Sequence, residues 1–227
     1  MITFILLLAG KGERLFRDLP KQFYRIKDKE LFQYPLETAL SIKEIDNIIL
    51  VAQEEHFDHI ISLISANYKT DKIRIVSGGK TRQESVYNAL LASKNLNTTH
   101  VLIHDAARPL VPSSLINTLI NELKNNDAVV PIMPMFDSII EKKEDSSINS
   151  YLNRSKIFKV QTPQAFKFDI IHTAHKAANI LGENNYGDDA SLLVNSSTNI
   201  KTIRGSRYNF KITDETDLEL LLKIINQ

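Results

Sequence analysis

The chain has 227 residues, 43% hydrophobic and 24% charged, which is enough to bury one substantial core and falls in the range of a single large α/β domain. Its 28 basic and 27 acidic residues nearly cancel, so it lacks the global cationic field that accompanies nucleic-acid or anionic-membrane binding, and any recognition of a polyanion must be local. It has no cysteine, which excludes disulfides and thiolate metal sites and fits a reducing compartment.

An apolar run at residues 4–8 stops at Ala9-Gly10-Lys11-Gly12-Glu13-Arg14, and Leu19-Pro20-Lys21-Gln22 follows. This predicts a strand ending in a glycine loop whose bare amides approach an anion, with Arg14 and Lys21 adding charge. Leu15 stands where a dinucleotide fingerprint has its third glycine, and G-x-x-x-x-G-K-S/T does not occur, so the loop is neither a Rossmann NAD loop nor Walker A. The run is too short for a membrane span, and Met1-Ile2-Thr3 lacks the charge of a signal peptide, so a soluble cytoplasmic protein is expected.

Further strands are predicted at residues 47–52, 72–76, 100–104 and 127–132, with helix-length patterns between them. That alternation implies right-handed crossovers and a mainly parallel twisted sheet with helices on both faces, ligands sitting at the strands' carboxyl ends. After Gly78-Gly79, Thr81 and Glu84 read as a capping box, which puts Ser85 in a first turn near free amides. After Pro112, Ser113 reads as the cap of a helix with Leu115, Ile116, Leu119, Ile120 and Leu123 on one side.

Residues 135–140 and 151–161 are too short and too β-branched or aromatic for helices, and the stretch between them is polar. They predict a hairpin arm at about 135–161 that cannot bury Phe136, Ile139, Ile140, Ile157 and Phe158 by itself, so a second subunit is the expected cover. Helix follows from residue 168 to 181, a short helix opens at Asp188-Asp189-Ala190-Ser191, and a strand runs near 199–203. A last helix capped by Thr213 or Asp214 turns Leu218, Leu221, Leu222 and Ile225 inward.

His104-Asp105-Ala106-Ala107-Arg108-Pro109 ends the fourth of these strands. Asp105 and Arg108 read either as a structural ion pair or as a site where Asp105 meets metal or sugar; the two alanines leave room for a ligand and favour the second. Val160-Gln161-Thr162-Pro163-Gln164-Ala165-Phe166 and Asn209-Phe210-Lys211-Ile212-Thr213 are equally compatible with plain strand-to-helix junctions. His56 with His59, and His172 with His175, lack a third metal ligand and read as surface residues.

Taken in order, A-G-K-G-E-R, L-P-K-Q, G-G-K-T-R-Q-E-S-V, H-D-A-A-R-P, Q-T-P-Q-A-F, D-D-A-S and N-F-K-I-T resemble the 2-C-methyl-D-erythritol 4-phosphate cytidylyltransferases over nearly the whole chain. The resemblance implies a Rossmann-like fold, a homodimer joined through a β-arm, Mg2+ or another divalent cation, and attack of a polyol phosphate on the α-phosphorus of CTP with loss of pyrophosphate.

By position, it implies Ala9, Gly10, Gly12, Arg14 and Lys21 around the triphosphate, Gly79, Lys80 and Ser85 at the cytosine, and Ala106 on the ribose side. Asp105 would lie near metal and both substrates, and Lys21 and Lys211, with Arg14, would act catalytically. Arg108, Thr162, Asp105 and Lys211 would hold the acceptor, joined by Ser138 and Arg154 from the partner's arm.

The chain departs from the family pattern at Leu8 before the Ala-Gly pair, at Ser138 and Gly187 where threonine is usual, and at Lys80 where an acidic residue often stands. Ribitol-5-phosphate cytidylyltransferase and a catalytically silent CTP-binding module are the competing readings.

Overall fold

The computed structural model describes residues 1–10, 20–183 and 186–226. In chain order the elements are β1 (Ile2–Leu7), β2 (Arg25–Ile26), β3 (Lys29–Glu30), α1 (Gln33–Leu40), β4 (Ile45–Ala52), α2 (Phe57–Asn67), β5 (Ile73–Ser77), α3 (Arg82–Lys94) and β6 (His100–Asp105). They continue with α4 (Ser113–Glu122), β7 (Ala128–Pro134), β8 (Ile139–Lys142), β9 (Ile148–Leu152), β10 (Phe158–Val160), β11 (Gln164–Lys167), α5 (Phe168–Leu181), β12 (Ile200–Arg204) and α6 (Glu215–Ile225).

The main sheet runs β10-β7-β11-β6-β1-β4-β5, with β12 also on β7. Strands β6, β1, β4 and β5 are parallel, as is β12 to β7, whereas β11 and β10 run antiparallel to their neighbours. The fold is therefore a Rossmann-like α/β sheet, mostly parallel.

Period-two alternation sends side chains of one strand into two cores. Ile48, Leu50 and Ala52 of β4 pack on one face with Leu36 of α1, Ile60 of α2 and Leu119 of α4. Ile49 and Val51 pack on the other with Val86 and Leu90 of α3 and Ile171 of α5. Each side chain fully withdrawn from water in this way stabilises the fold by about 1.5–3 kcal/mol before entropy is counted. Helix α6 closes a third cluster, Leu218 and Leu221 meeting Ile26, Leu31 and Ile212.

Four local expectations need correction. Residues 164–166 are compatible in sequence with a plain strand-to-helix junction, but they belong to a strand, β11. It is inserted between β6 and β7, and its four residues are too few to show a period, although Ala165 enters one core and Phe166 the other. Helix α4 has Pro112, not Ser113, at its N-cap, with no side-chain cap. Thr81 does cap α3 by accepting from the Glu84 amide, but the Glu84 carboxylate takes the Lys80 amide instead of closing a reciprocal box; α6 has the true box, between Asp214 and Asp217.

The arm is the fourth. β8 and β9 form a separate two-stranded sheet, and their pairing extends into the stretch expected to be a polar linker, because Asn149 and Ser150 donate across the hairpin to Glu141. Residues 151–161 are not one strand: a 3-10 turn at Arg154–Lys156 returns the chain, and β10 rejoins the main sheet on β7.

Candidate active site

A cleft of about 1200 Å³ opens beyond the carboxyl ends of β1, β4, β5 and β6, where an open parallel sheet presents loop amides and first helical turns together. Ala9 and Gly10 from the loop after β1 line it, with Gly79, Lys80 and Ser85 after β5, and Asp105 and Ala106 after β6. Lys21 and Lys211 also reach it, from positions 190 apart in the chain. Gly12 and Arg14 lie outside the described residues.

The walls are held by Ser85 and by two glutamines, Gln22 and Gln53, that are not among the expected site residues. Gln22 donates from Nε2 to the Leu8 and Gly10 carbonyls, the latter at 3.0 Å. Gln53, following β4, donates to the Ala9 and Gly79 carbonyls at 3.3 and 3.2 Å and so ties two loops together. Gly78 is required by this closeness, since a β-carbon there would lie 2.5 Å from that of Ala9. The Ser85 hydroxyl accepts from the Gly79 amide and donates to the Thr81 carbonyl, bracing the loop that faces the cleft. Because Glu84 already holds the Lys80 amide, Lys80 has only its carbonyl and side chain to offer a ligand.

Asp105 is the electrostatic centre. Its Oδ2 accepts from Lys211 Nζ at 2.8 Å and its Oδ1 from Arg82 Nε at 3.1 Å. Burial alone would raise this carboxyl, but the Arg82 guanidinium, followed by Lys211 and Arg108, holds it well below the usual carboxylate range. Arg82 is likewise disfavoured by burial and more than compensated by Asp189 and Asp105, so its guanidinium is raised above its ordinary value. Lys21 donates to the Ile212 carbonyl at 2.9 Å, which puts both lysines beside the same segment.

The motifs that looked like plain junctions deliver Lys211. Gln161 donates to the Ser206 and Asn209 carbonyls, Asn209 donates to the Thr162 carbonyl at 2.7 Å, and the Ile212 amide donates to the Ala107 carbonyl at 2.8 Å. Gln164 in turn accepts from the Ala190 amide, fastening the D-D-A-S segment.

His104 completes the bracing. Its Nε2 lies 3.0 Å from the Arg108 carbonyl, which can only accept, so Nε2 carries the proton and Nδ1 accepts from Thr162 Oγ1, which itself accepts from the Asp105 amide. Burial pushes His104 down to about 4, keeping it neutral near pH 7.

Four expected acceptor residues are not on the cleft wall. Thr162 is buried with its hydroxyl committed to His104 and Asp105. Arg108 does not form the direct ion pair with Asp105 that was one expectation. Its guanidinium donates to the Asn209 and Val160 carbonyls while Nε is buried without a partner among the described residues, and burial draws it below its ordinary value. Ser138 and Arg154 are exposed on the arm, where Arg154 donates to the Phe136 carbonyl.

The histidines also diverge from expectation. His59 is at the surface beside Glu30, but His175 is 1% exposed and bonded to Asp189. Among the described residues no group of three or more His, Asp or Glu side chains is arranged to hold a metal ion.

A profile of the 2-C-methyl-D-erythritol 4-phosphate cytidylyltransferase family matches residues 2–227. The chain is 37% identical to the protein of that name from Thermotoga neapolitana, over 95% of this chain and 93% of the relative. It is 34% identical to that of Clostridioides difficile, over 100% and 94%. The crystal structure of 4-diphosphocytidyl-2C-methyl-D-erythritol synthase from Anaerococcus prevotii superposes with a TM-score of 0.86 at 27% identity, covering 100% of this chain and 96% of that one. A match running from the second residue to the last, on a sheet whose cleft gathers the motifs in question, makes this chain a member of the 2-C-methyl-D-erythritol 4-phosphate cytidylyltransferase family.

Proposed function

We propose that this chain joins CTP to 2-C-methyl-D-erythritol 4-phosphate, giving 4-diphosphocytidyl-2-C-methyl-D-erythritol and pyrophosphate in isoprenoid precursor synthesis. The observation that carries the reading is the meeting of Lys21 and Lys211 at a cleft centred on an ionised Asp105. An oxygen of the acceptor phosphate forms a bond to the α-phosphorus as the α–β bridging bond breaks and pyrophosphate leaves. Charge grows on the phosphoryl oxygens, so fixed ammonium groups that need no rearrangement lower the barrier, and the protein's part is positioning and electrostatics. The loops at Gly10 and Gly78-Gly79 admit the nucleotide.

A magnesium ion fits this donor set. Asp105 stays ionised and would hold the cation together with substrate phosphates. When bound, the ion neutralises phosphate charge.

The arm supports a homodimer: Phe136, Ile148, Tyr151 and Phe158 are 60%, 50%, 71% and 43% exposed, and a partner that covers them brings Ser138 and Arg154 to the neighbouring cleft. No described helix is long and apolar enough to cross a membrane.

The test is pyrophosphate release with CTP and a panel of polyol phosphates. Preferred turnover of ribitol 5-phosphate would overturn the acceptor assignment, and CTP binding without release of pyrophosphate would favour a silent module. Mixing Arg154→Ala and Lys21→Ala protomers should restore part of the activity, because one composite site keeps both residues; no rescue after confirmed subunit exchange would refute the shared site.

A further inference from the structure

Behind the cleft wall, two ionisable side chains are sealed from water and face one cation. His175 on α5 and Asp189 in the D-D-A-S segment are each 1% exposed, and neither lines the cleft. His175 Nε2 lies 3.2 Å from Asp189 Oδ1, and Asp189 Oδ2 accepts from Arg82 Nη2 at 2.8 Å. Asp189 accepts only, so Nε2 carries the hydrogen of that bond. Burying a carboxylate and an imidazole is costly unless they are paired, and a hydrophobic pair would pack this junction at lower cost. What the polar pair achieves is directional: it grips one edge of the Arg82 guanidinium.

Arg82 opens α3, borders the cleft, and keeps 31% of its side chain exposed. It gives one N–H to Asp189 and one to Asp105, whereas a guanidinium carries five donors in a rigid fork. The others have no partner among the described residues. With Lys211 on the far oxygen of Asp105, a chain of alternating charge runs from the buried Asp189 through Arg82 and Asp105 to Lys211 at the cleft.

We infer that His175 and Asp189 are positioning residues that fix Arg82 so that its unused N–H groups receive a phosphate of the nucleotide and its Nε orients Asp105. The inference deepens the nucleotidyl-transfer reading and rests on it. It explains why α5 and the D-D-A-S segment, which supply no described cleft-lining side chain, carry polar groups in their interior.

The test is a mutant cycle with pyrophosphate release as one readout and calorimetric affinity for inorganic pyrophosphate as the other, thermal unfolding being recorded for every variant. Arg82→Gln and His175→Leu should each lower kcat/KM for CTP by about tenfold or more, and the double variant should be no worse than Arg82→Gln alone, because His175 acts only through Arg82. His175→Gln, which restores a donor near Nε2, should recover most of the loss.

Losses that multiply in the double variant, or a folded His175→Leu with wild-type kcat/KM, would overturn the inference. Should His175→Leu not fold, Asp189→Asn crossed with Arg82→Gln reads the same coupling. If the wild-type protein releases pyrophosphate with no acceptor, the proposed reaction fails, and the calorimetric cycle still decides the positioning role: equal weakening in the single and double variants supports it, and unaltered affinity in His175→Leu refutes it.

Discussion

The cleft and the arm satisfy their side chains in opposite ways. Around the cleft, polar groups are withdrawn from water and paired within the chain: Asp105 with Arg82 and Lys211, His104 with Thr162 and the Arg108 carbonyl, and Gln161 with Asn209. In the arm, β8 and β9 pair only with each other, while Phe136 and Tyr151 remain 60% and 71% exposed. The first region holds its charges in fixed positions, as the proposed transfer requires. The second leaves apolar surface open to water, Phe136 being only partly covered by the Arg207 guanidinium 5.1 Å from its ring centroid, and this is the surface that the proposed homodimer would bury.

The contrast can be broken in several places. The largest effect belongs to the lysines: Lys21→Ala and Lys211→Ala should each lower kcat by about 3 kcal/mol of barrier, roughly 150-fold, with sedimentation mass unchanged. An unchanged kcat would remove the cleft's claim to electrostatic catalysis.

Acid should uncover His104. Its folded value of about 4 lies below the ordinary 6.5, so the unfolded chain binds more protons between these values. Stability is then complete above about pH 6.5 and falls by about 3 kcal/mol as pH drops through the folded value. The depressed Asp105 and Asp189 act in the same sense at lower pH, below the ordinary 3.8. Denaturant titrations at pH 7 and 4.5 should show a smaller acid loss for His104→Gln than for the wild type. Equal losses would mean that the imidazole is not buried neutral.

Gly78→Ala puts a β-carbon 2.5 Å from that of Ala9, so the loops after β1 and β5 must separate. About 1–3 kcal/mol of destabilisation is expected, with a raised KM for CTP. Intact kinetics would show that the loops need not touch.

The arm should respond in reverse. Tyr151→Asp combined with Phe158→Asp should convert the protein to monomer by sedimentation while changing its intrinsic stability by only about 0.5 kcal/mol, since these exposed side chains are not part of its three buried core clusters. An unaltered mass would separate the arm from self-association. Least of all should follow from Gly187→Thr: nothing among the described residues lies within 4 Å of the added β-carbon, so stability should stay within about 0.5 kcal/mol, and any change should be in KM for the acceptor.

Much of this architecture is legible along the chain, because strand alternation and helix periodicity are local properties. The parallel strands, the α4 stripe from Leu115 to Leu123 and the α6 stripe emerge within a residue or two of where they lie. β11 does not, since its four residues owe their conformation to the two strands beside them. In the site, Gln22 and Arg82 stood inside motifs that were already suspect, L-P-K-Q and G-G-K-T-R-Q-E-S-V, so a question about each polar residue of those motifs would have found them. Gln53 had no signal except its place just after a strand.

By itself, then, the order of residues determined the strand and helix pattern, the glycine loops and the set of cations available. Which cation meets which carboxylate was decided by the tertiary structure alone: Lys211 and Asp105 are 106 positions apart, and Arg82 and Asp189 are 107. Pairing and burial depend on distance in space, and only the folded sheet, by bringing its carboxyl ends and the 209–212 segment together, sets those distances.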